Sequence, residues 1–227
     1  MIINFISLLG IIMTVFLIKF FGKEPSKMKY VKIISWVLLI YKLIQYTYLS
    51  ITEGFTFPVE ISTITYFLFT IIVVIGKEKY YHIASFFGIL SGFGYFTYYS
   101  IFGYLATFHL GMYDLVIAIF SHGIIFAGGI YLSKVTPFKR TKQYQIFLVL
   151  FFILVHAALF YADKTEGTTF IYNIVKPTFL DITNSDFLNL GVKLLFYGAW
   201  IAFILICTKI FYKMNRKYHQ EDIKALT

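Results

Sequence analysis

Seven apolar runs of about 20 residues, parted by short polar breaks, constrain this chain more than any other feature. They cover roughly 2–21, 31–51, 57–75, 81–102, 113–132, 144–162 and 189–211. A helix rising about 1.5 Å per residue needs a run of this length to cross the hydrocarbon of a bilayer. A single soluble core cannot hide so much apolar surface. The chain is 59% hydrophobic and 14% charged, where soluble domains carry about a quarter charged residues. The mean hydropathy of +0.77 points the same way. The expected fold class is therefore all-α, a polytopic membrane helical bundle. Residues 1–212 form a seven-helix transmembrane domain and 213–227 a short basic cytoplasmic tail.

The lysines set the direction of the spans. Lys23, Lys27, Lys29 and Lys32 follow the first run, Lys77 and Lys79 the third, and Lys134, Lys139, Arg140 and Lys142 the fifth. Lys209, Lys213, Arg216, Lys217 and Lys224 cluster at the tail end, while the alternate loops hold only Lys164 and Lys176. Basic residues stay on the cytoplasmic side, so the N-terminus is expected outside and the C-terminus inside. The first run reads as a span and not as a cleavable leader, because its charges follow it. The net charge of +9 is thereby assigned to anionic inner-leaflet lipids at the basic loops and not to nucleic acid. One cysteine, Cys207, excludes an intrachain disulfide and a multi-cysteine metal site. No cofactor is indicated. The abundance of Lys, Ile, Phe and Tyr hints at an AT-rich bacterial genome. Small residues at Gly88, Gly92 and Gly94, and at Gly123, Gly128 and Gly129, read as helix-packing positions. The outer loop 163–188 is too polar for an eighth span and reads as an amphipathic or re-entrant cap.

Ionisable side chains inside such runs are expensive and tend to face a cavity or a partner. Lys42, Glu60, Asp114, His122 and His156 qualify. Counting helical rise from the outer end of each run puts Glu60 and Ser62 roughly 5–8 Å deep and His156 about 9 Å deep. Lys42 and His122 fall at about 12–14 Å. All lie in the outer half of the bilayer, which predicts one polar cavity opening outward. Each has an ordinary alternative: Lys42 as an ion-pair partner of Glu60, His156 as a core histidine, Asp114 as a helix-end charge. Ser62 and Thr63 could simply bond back to their own helix. Along a helix Glu60 and Ser62 point about 200° apart, so Glu60 shares a face with Thr63 more than with Ser62. A hydroxyl beside an imidazole is the minimum set for nucleophilic acyl chemistry, which is why Ser62 and His122 are paired as catalytic candidates.

Three stretches carry a family resemblance: "FPVEISTITYFLFTIIVVI" at 57–75, "YDLVIAIFSHGIIFAGGIYL" at 113–132 and "EGTTFIYNIVKP" at 166–177. In this order they resemble the YwaF-like integral membrane proteins of bacteria. Eukaryotic relatives of that family are regarded as acyltransferases on phospholipid acyl chains, using a cysteine and a histidine. The resemblance places Ser62 at the cysteine and His122 at the histidine. Glu60 stands where the family commonly has histidine, and Thr169 where asparagine is usual.

Two functions follow as expectations. One is a membrane-embedded acyltransferase or lipid hydrolase, with Ser62 (or Thr63) attacking an ester and His122 carrying its proton. The other is a binding or transport protein with the same cavity, in which Glu60, Lys42, His122 and His156 bind a small polar solute or relay protons without covalent chemistry. Thr63 and Asp114 complete the candidate binding residues. A retinal-binding photoreceptor is set aside, since Lys193 lies too near the outer end of its run.

Overall fold

Two of the apolar runs stop at a glycine that ends the helix. The computed structural model describes residues 2–52, 61–102, 111–138, 150 and 186–226. Helix α1 (Ile2–Phe21) ends at Gly22, with φ 54° and its N–H donating to the Ile18 carbonyl at 3.2 Å. Helix α3 (Ile61–Ile75) ends in the same way at Gly76, φ 73°, its N–H on the Ile72 carbonyl at 3.1 Å. A side chain at this left-handed position would cost about 1–2 kcal/mol. Lys-Glu follows both glycines. A single 3-10 turn, Pro25–Lys27 or Glu78–Tyr80, then leads into α2 (Met28–Thr52) or α4 (Tyr81–Phe102).

Helix α5 (Met112–Val135) has no glycine at its end, and α6 (Asp186–Leu226) supplies the cap instead. Asn215 is buried there. Its Nδ2 donates to the carbonyls of Ser133 at 2.7 Å and Thr136 at 3.2 Å, and its Oδ1 accepts the Phe138 N–H at 2.9 Å. The carbonyls left over at a helix C-terminus are thus satisfied from another element.

Among the described residues all regular structure is helical. The limits of α1, α2, α4 and α5 fall within three residues of the expected spans, whereas the last helix, Asp186–Leu226, runs well beyond 211. Residues 57–60 of the third span and all of 144–162 except residue 150 lie outside the described residues. Pro25–Thr52, with mean hydropathy 1.3, and Met112–Val135, with 2.1, are long and apolar enough to cross a membrane. Shorter apolar helices cover Leu8–Phe21 and Ser62–Ile75. On α2, Ile33, Trp36, Val37, Ile40 and Ile44 are all exposed, an apolar face that would be costly in water.

The chain divides into two compact units. The first holds Met1–Thr56, Ile61–Phe138 and Asn215–Thr227. Within it α5 is central: it packs mainly on α4 and α1 and also touches α3 and α2. The close α4–α5 approach needs small residues. A Cβ on Gly88 would lie 2.5 Å from the Ile125 carbonyl oxygen, and one on Gly129 2.9 Å from that of Ser85. Ser85 Oγ ties the two helices by donating to the Gly129 carbonyl at 2.7 Å. Gly94, expected to pack as Gly88 does, faces open space. Phe21, Tyr66, Phe69, Val73, Tyr81, Ile125 and Tyr131 build the core, and the Tyr131 hydroxyl donates to the Glu24 carbonyl at 3.0 Å. The second unit holds Phe57–Glu60 and Lys139–Met214; on its part of α6, Ile204, Thr208, Phe211 and Tyr212 share one buried face. The basic stretch after residue 212 continues α6 as helix to Leu226.

Candidate functional site

The sequence Ser121-His122-Gly123 places an imidazole on the central helix between two buried small residues. His122 Nδ1 lies 2.8 Å from the Ala118 carbonyl, one turn back on the same helix. A carbonyl only accepts, so these bonds assign the hydrogen to Nδ1. The Tyr66 hydroxyl, from α3, sits between the two ring nitrogens, 2.6 Å from Nδ1 and 3.1 Å from Nε2. With Nδ1 protonated, the phenol donates to Nε2. The Tyr66 ring meets the imidazole edge-on at 70° with centroids 5.1 Å apart, and Tyr95 of α4 stacks flat on its face at 3.8 Å and 9°. Three helices therefore fix one imidazole.

Lys42 comes from α2 and is only 4% exposed, although its side chain is built to reach water. Its Nζ donates to Gln45 Oε1 at 2.9 Å and stands 4.5 Å from the centroid of the Tyr66 ring. A cation over a phenol face is attracted by the ring quadrupole, more strongly when both are out of water. The result is a buried array running from the Lys42 ammonium through the Tyr66 ring and hydroxyl to the His122 imidazole. Beside it, the hydroxyls of Thr63 and Tyr46 share a hydrogen bond of 2.6 Å, and those of Tyr41 and Tyr113 one of 2.9 Å.

The expected site residues divide accordingly. Lys42, Thr63 and His122 are buried in the first unit. Ser62 is half-buried on α3, one turn before Tyr66; among the described residues no hydrogen bond joins it to His122, whose hydroxyl partner is Tyr66. Asp114 is exposed in the first turn of α5, where a carboxylate complements the helix dipole. Glu60 and His156 lie outside the described residues. Among the described residues no group of three His, Cys, Asp or Glu side chains could hold a metal ion.

Tyr66, Gln45 and the stacking role of Tyr95 were not singled out from the sequence. A signal for Tyr66 was present. It follows Ser62 by four residues and Thr63 by three, so it shares their face of the helix. Its depth, counted as for the others, is about 14 Å, level with His122. No protein-family model, curated protein or solved structure matches the chain.

Proposed function

We propose that this chain is a multi-pass protein of the cell membrane, with seven spans, N-terminus outside and C-terminus inside. In this reading Lys42, Tyr66 and His122 bind a small polar solute and pass protons without forming a covalent bond. The observation that carries it is the Tyr66 hydroxyl lying within reach of both nitrogens of a buried imidazole, under a buried cation. With the Nδ1 hydrogen held by the Ala118 carbonyl, the hydroxyl donates to the bare Nε2. Nε2 takes the phenol proton as the phenol oxygen takes one from the solute, and the Lys42 ammonium offsets the charge that develops between the two steps. The imidazolium then gives one proton to water, which restores the neutral ring and completes one passage. Intramembrane ionisable groups paired in this way mark proton and ion pathways.

Lipid surroundings fit the same reading. Lys27 stands 4.5 Å over the Phe20 ring, Lys29 5.0 Å over Tyr30 and Lys79 4.8 Å over Tyr80, a basic and aromatic girdle suited to anionic headgroups.

The test is proton flux into liposomes carrying the purified chain and a trapped pH dye, driven by a potassium diffusion potential. Wild type and Ser62→Ala are expected to conduct alike, and His122→Ala to fall by about 100-fold or more. Equal flux in wild type and His122→Ala overturns the reading. A second reading, acyl transfer on phospholipids by Ser62 with His122 as base, is favoured by the YwaF-like resemblance and by Ser62 lying one turn from Tyr66. It requires acyl-chain exchange in the same liposomes, read by mass spectrometry, that Ser62→Ala abolishes.

A further inference from the structure

A second polar feature lies on the other side of Tyr95. Tyr95 and Tyr99, one turn apart on α4, stack at 6.3 Å and 20°, which brings their phenols side by side. Both hydroxyls are buried and neither has a hydrogen-bond partner among the described residues. Two unsatisfied hydroxyls on adjacent turns are unusual, because each loses its bonds to water without replacement. They line a small cavity of about 10 Å³ together with Ile11, Ser100 and Ile119. Room of that order holds one water-sized group. Ser100 Oγ spends its hydrogen on the Phe96 carbonyl at 2.7 Å, so toward the cavity it offers only lone pairs. Of the two isoleucines, Ile11 on α1 is exposed and Ile119 on α5 is buried. Tyr99 and Ser100 lie within about 5 Å of the end of α4, near the depth at which polar lipid groups meet hydrocarbon.

We infer that this cavity binds a single hydrogen-bond-accepting oxygen, held by the Tyr95 and Tyr99 hydroxyls, and supplied by a lipid ester carbonyl or by a water molecule. The chemistry is the same for both sources. Two phenol donors on neighbouring turns match the two lone pairs of one oxygen, and the isoleucines limit the space to that atom. Because the Tyr95 ring also covers His122, the occupant fixes the aromatic lid of the imidazole. The inference needs only the hydroxyls and the cavity, and does not depend on proton transfer by His122.

The test is the thermal unfolding midpoint of the full chain in nanodiscs of ester-linked phospholipid and, separately, of the ether-linked analogue, which has no carbonyl. Tyr99→Phe and Tyr95→Phe/Tyr99→Phe keep both rings and remove only hydroxyls. If the hydroxyls hold an oxygen, each removal lowers the midpoint by about 2–4 °C. A drop in ester lipid alone identifies the carbonyl as source; a drop in both lipids identifies water. A midpoint that is unchanged or rises in both overturns the inference, since deleting a truly unpaired hydroxyl relieves a penalty. Tyr99→Phe, which leaves the stack on His122 untouched, decides the matter alone if the double variant does not accumulate.

Discussion

At the scale of single residues, the hydroxyl of Tyr66 separates a relay from a scaffold. Tyr66→Phe keeps the edge contact with His122 and the ring under Lys42, and deletes one oxygen. Nε2 then lacks its donor, which costs about 1–3 kcal/mol of stability, and proton flux is expected to fall as far as in His122→Ala. Thr63→Val is its counterpart. It breaks the bond to the Tyr46 hydroxyl and costs about 1 kcal/mol, yet flux is expected to persist because the imidazole keeps Tyr66. Thermal unfolding and dye flux on both variants check the pair; flux lost in neither, or in both alike, removes Tyr66 from the pathway. The sequence offered His122 and Lys42 because ionisable groups stand out in an apolar run. Tyr66 escaped notice because it is one of 19 tyrosines and carries no charge at neutral pH. The burial that makes its hydroxyl consequential is decided by helix facing, which no single residue type announces.

Helix limits were far more legible than helix partners. Gly22 and Gly76 end α1 and α3 where an apolar run meets Gly-Lys-Glu, so local chemistry alone marks those ends. The end of α5 was harder to see, since its cap, Asn215, is remote in sequence and sits among charged residues that read as a solvated tail. Those residues are good helix formers, which lets α6 continue through them. Glycine spacing indicated close packing on α4 without saying which glycine packs, and two substitutions on that one helix make the difference measurable. Gly88→Ala drives a methyl toward the Ile125 carbonyl, where backbone must shift, and is expected to destabilise by about 1–3 kcal/mol. Gly94→Ala meets nothing and is expected to stabilise by up to about 1 kcal/mol through helix propensity. Unfolding midpoints moving in opposite directions support the α4–α5 contact as described; a shared direction contradicts it.

At the scale of the whole chain, packing in the first unit gathers at one end the basic turns that the charge pattern assigns to one side. Lys32 Nζ lies 2.8 Å from where a Cβ on Gly76 would fall, which sets the start of α2 beside the end of α3. The Tyr131 hydroxyl bonds the Glu24 carbonyl, which sets the end of α5 beside the α1–α2 turn. These turns carry Lys23, Lys27, Lys29, Lys77, Lys79 and Lys134, so the lysines that alternate along the sequence gather at one end of the first unit. His122 lies about 20 Å of helix back from that end of α5, nearer its other terminus. In the proposed orientation, with the basic end at the cytoplasm, the Lys42–Tyr66–His122 array lies toward the outer half of the membrane, where an external solute would meet it. Cys207 is the single native cysteine, so Cys207→Ser gives a clean background for a topology measurement. Lys77→Cys in the α3–α4 turn is expected to react with a membrane-impermeant maleimide only after lysis. Met112→Cys, exposed at the start of α5, is expected to react in intact cells. The opposite labelling pattern would turn the array toward the cytoplasm and make its solute an internal one.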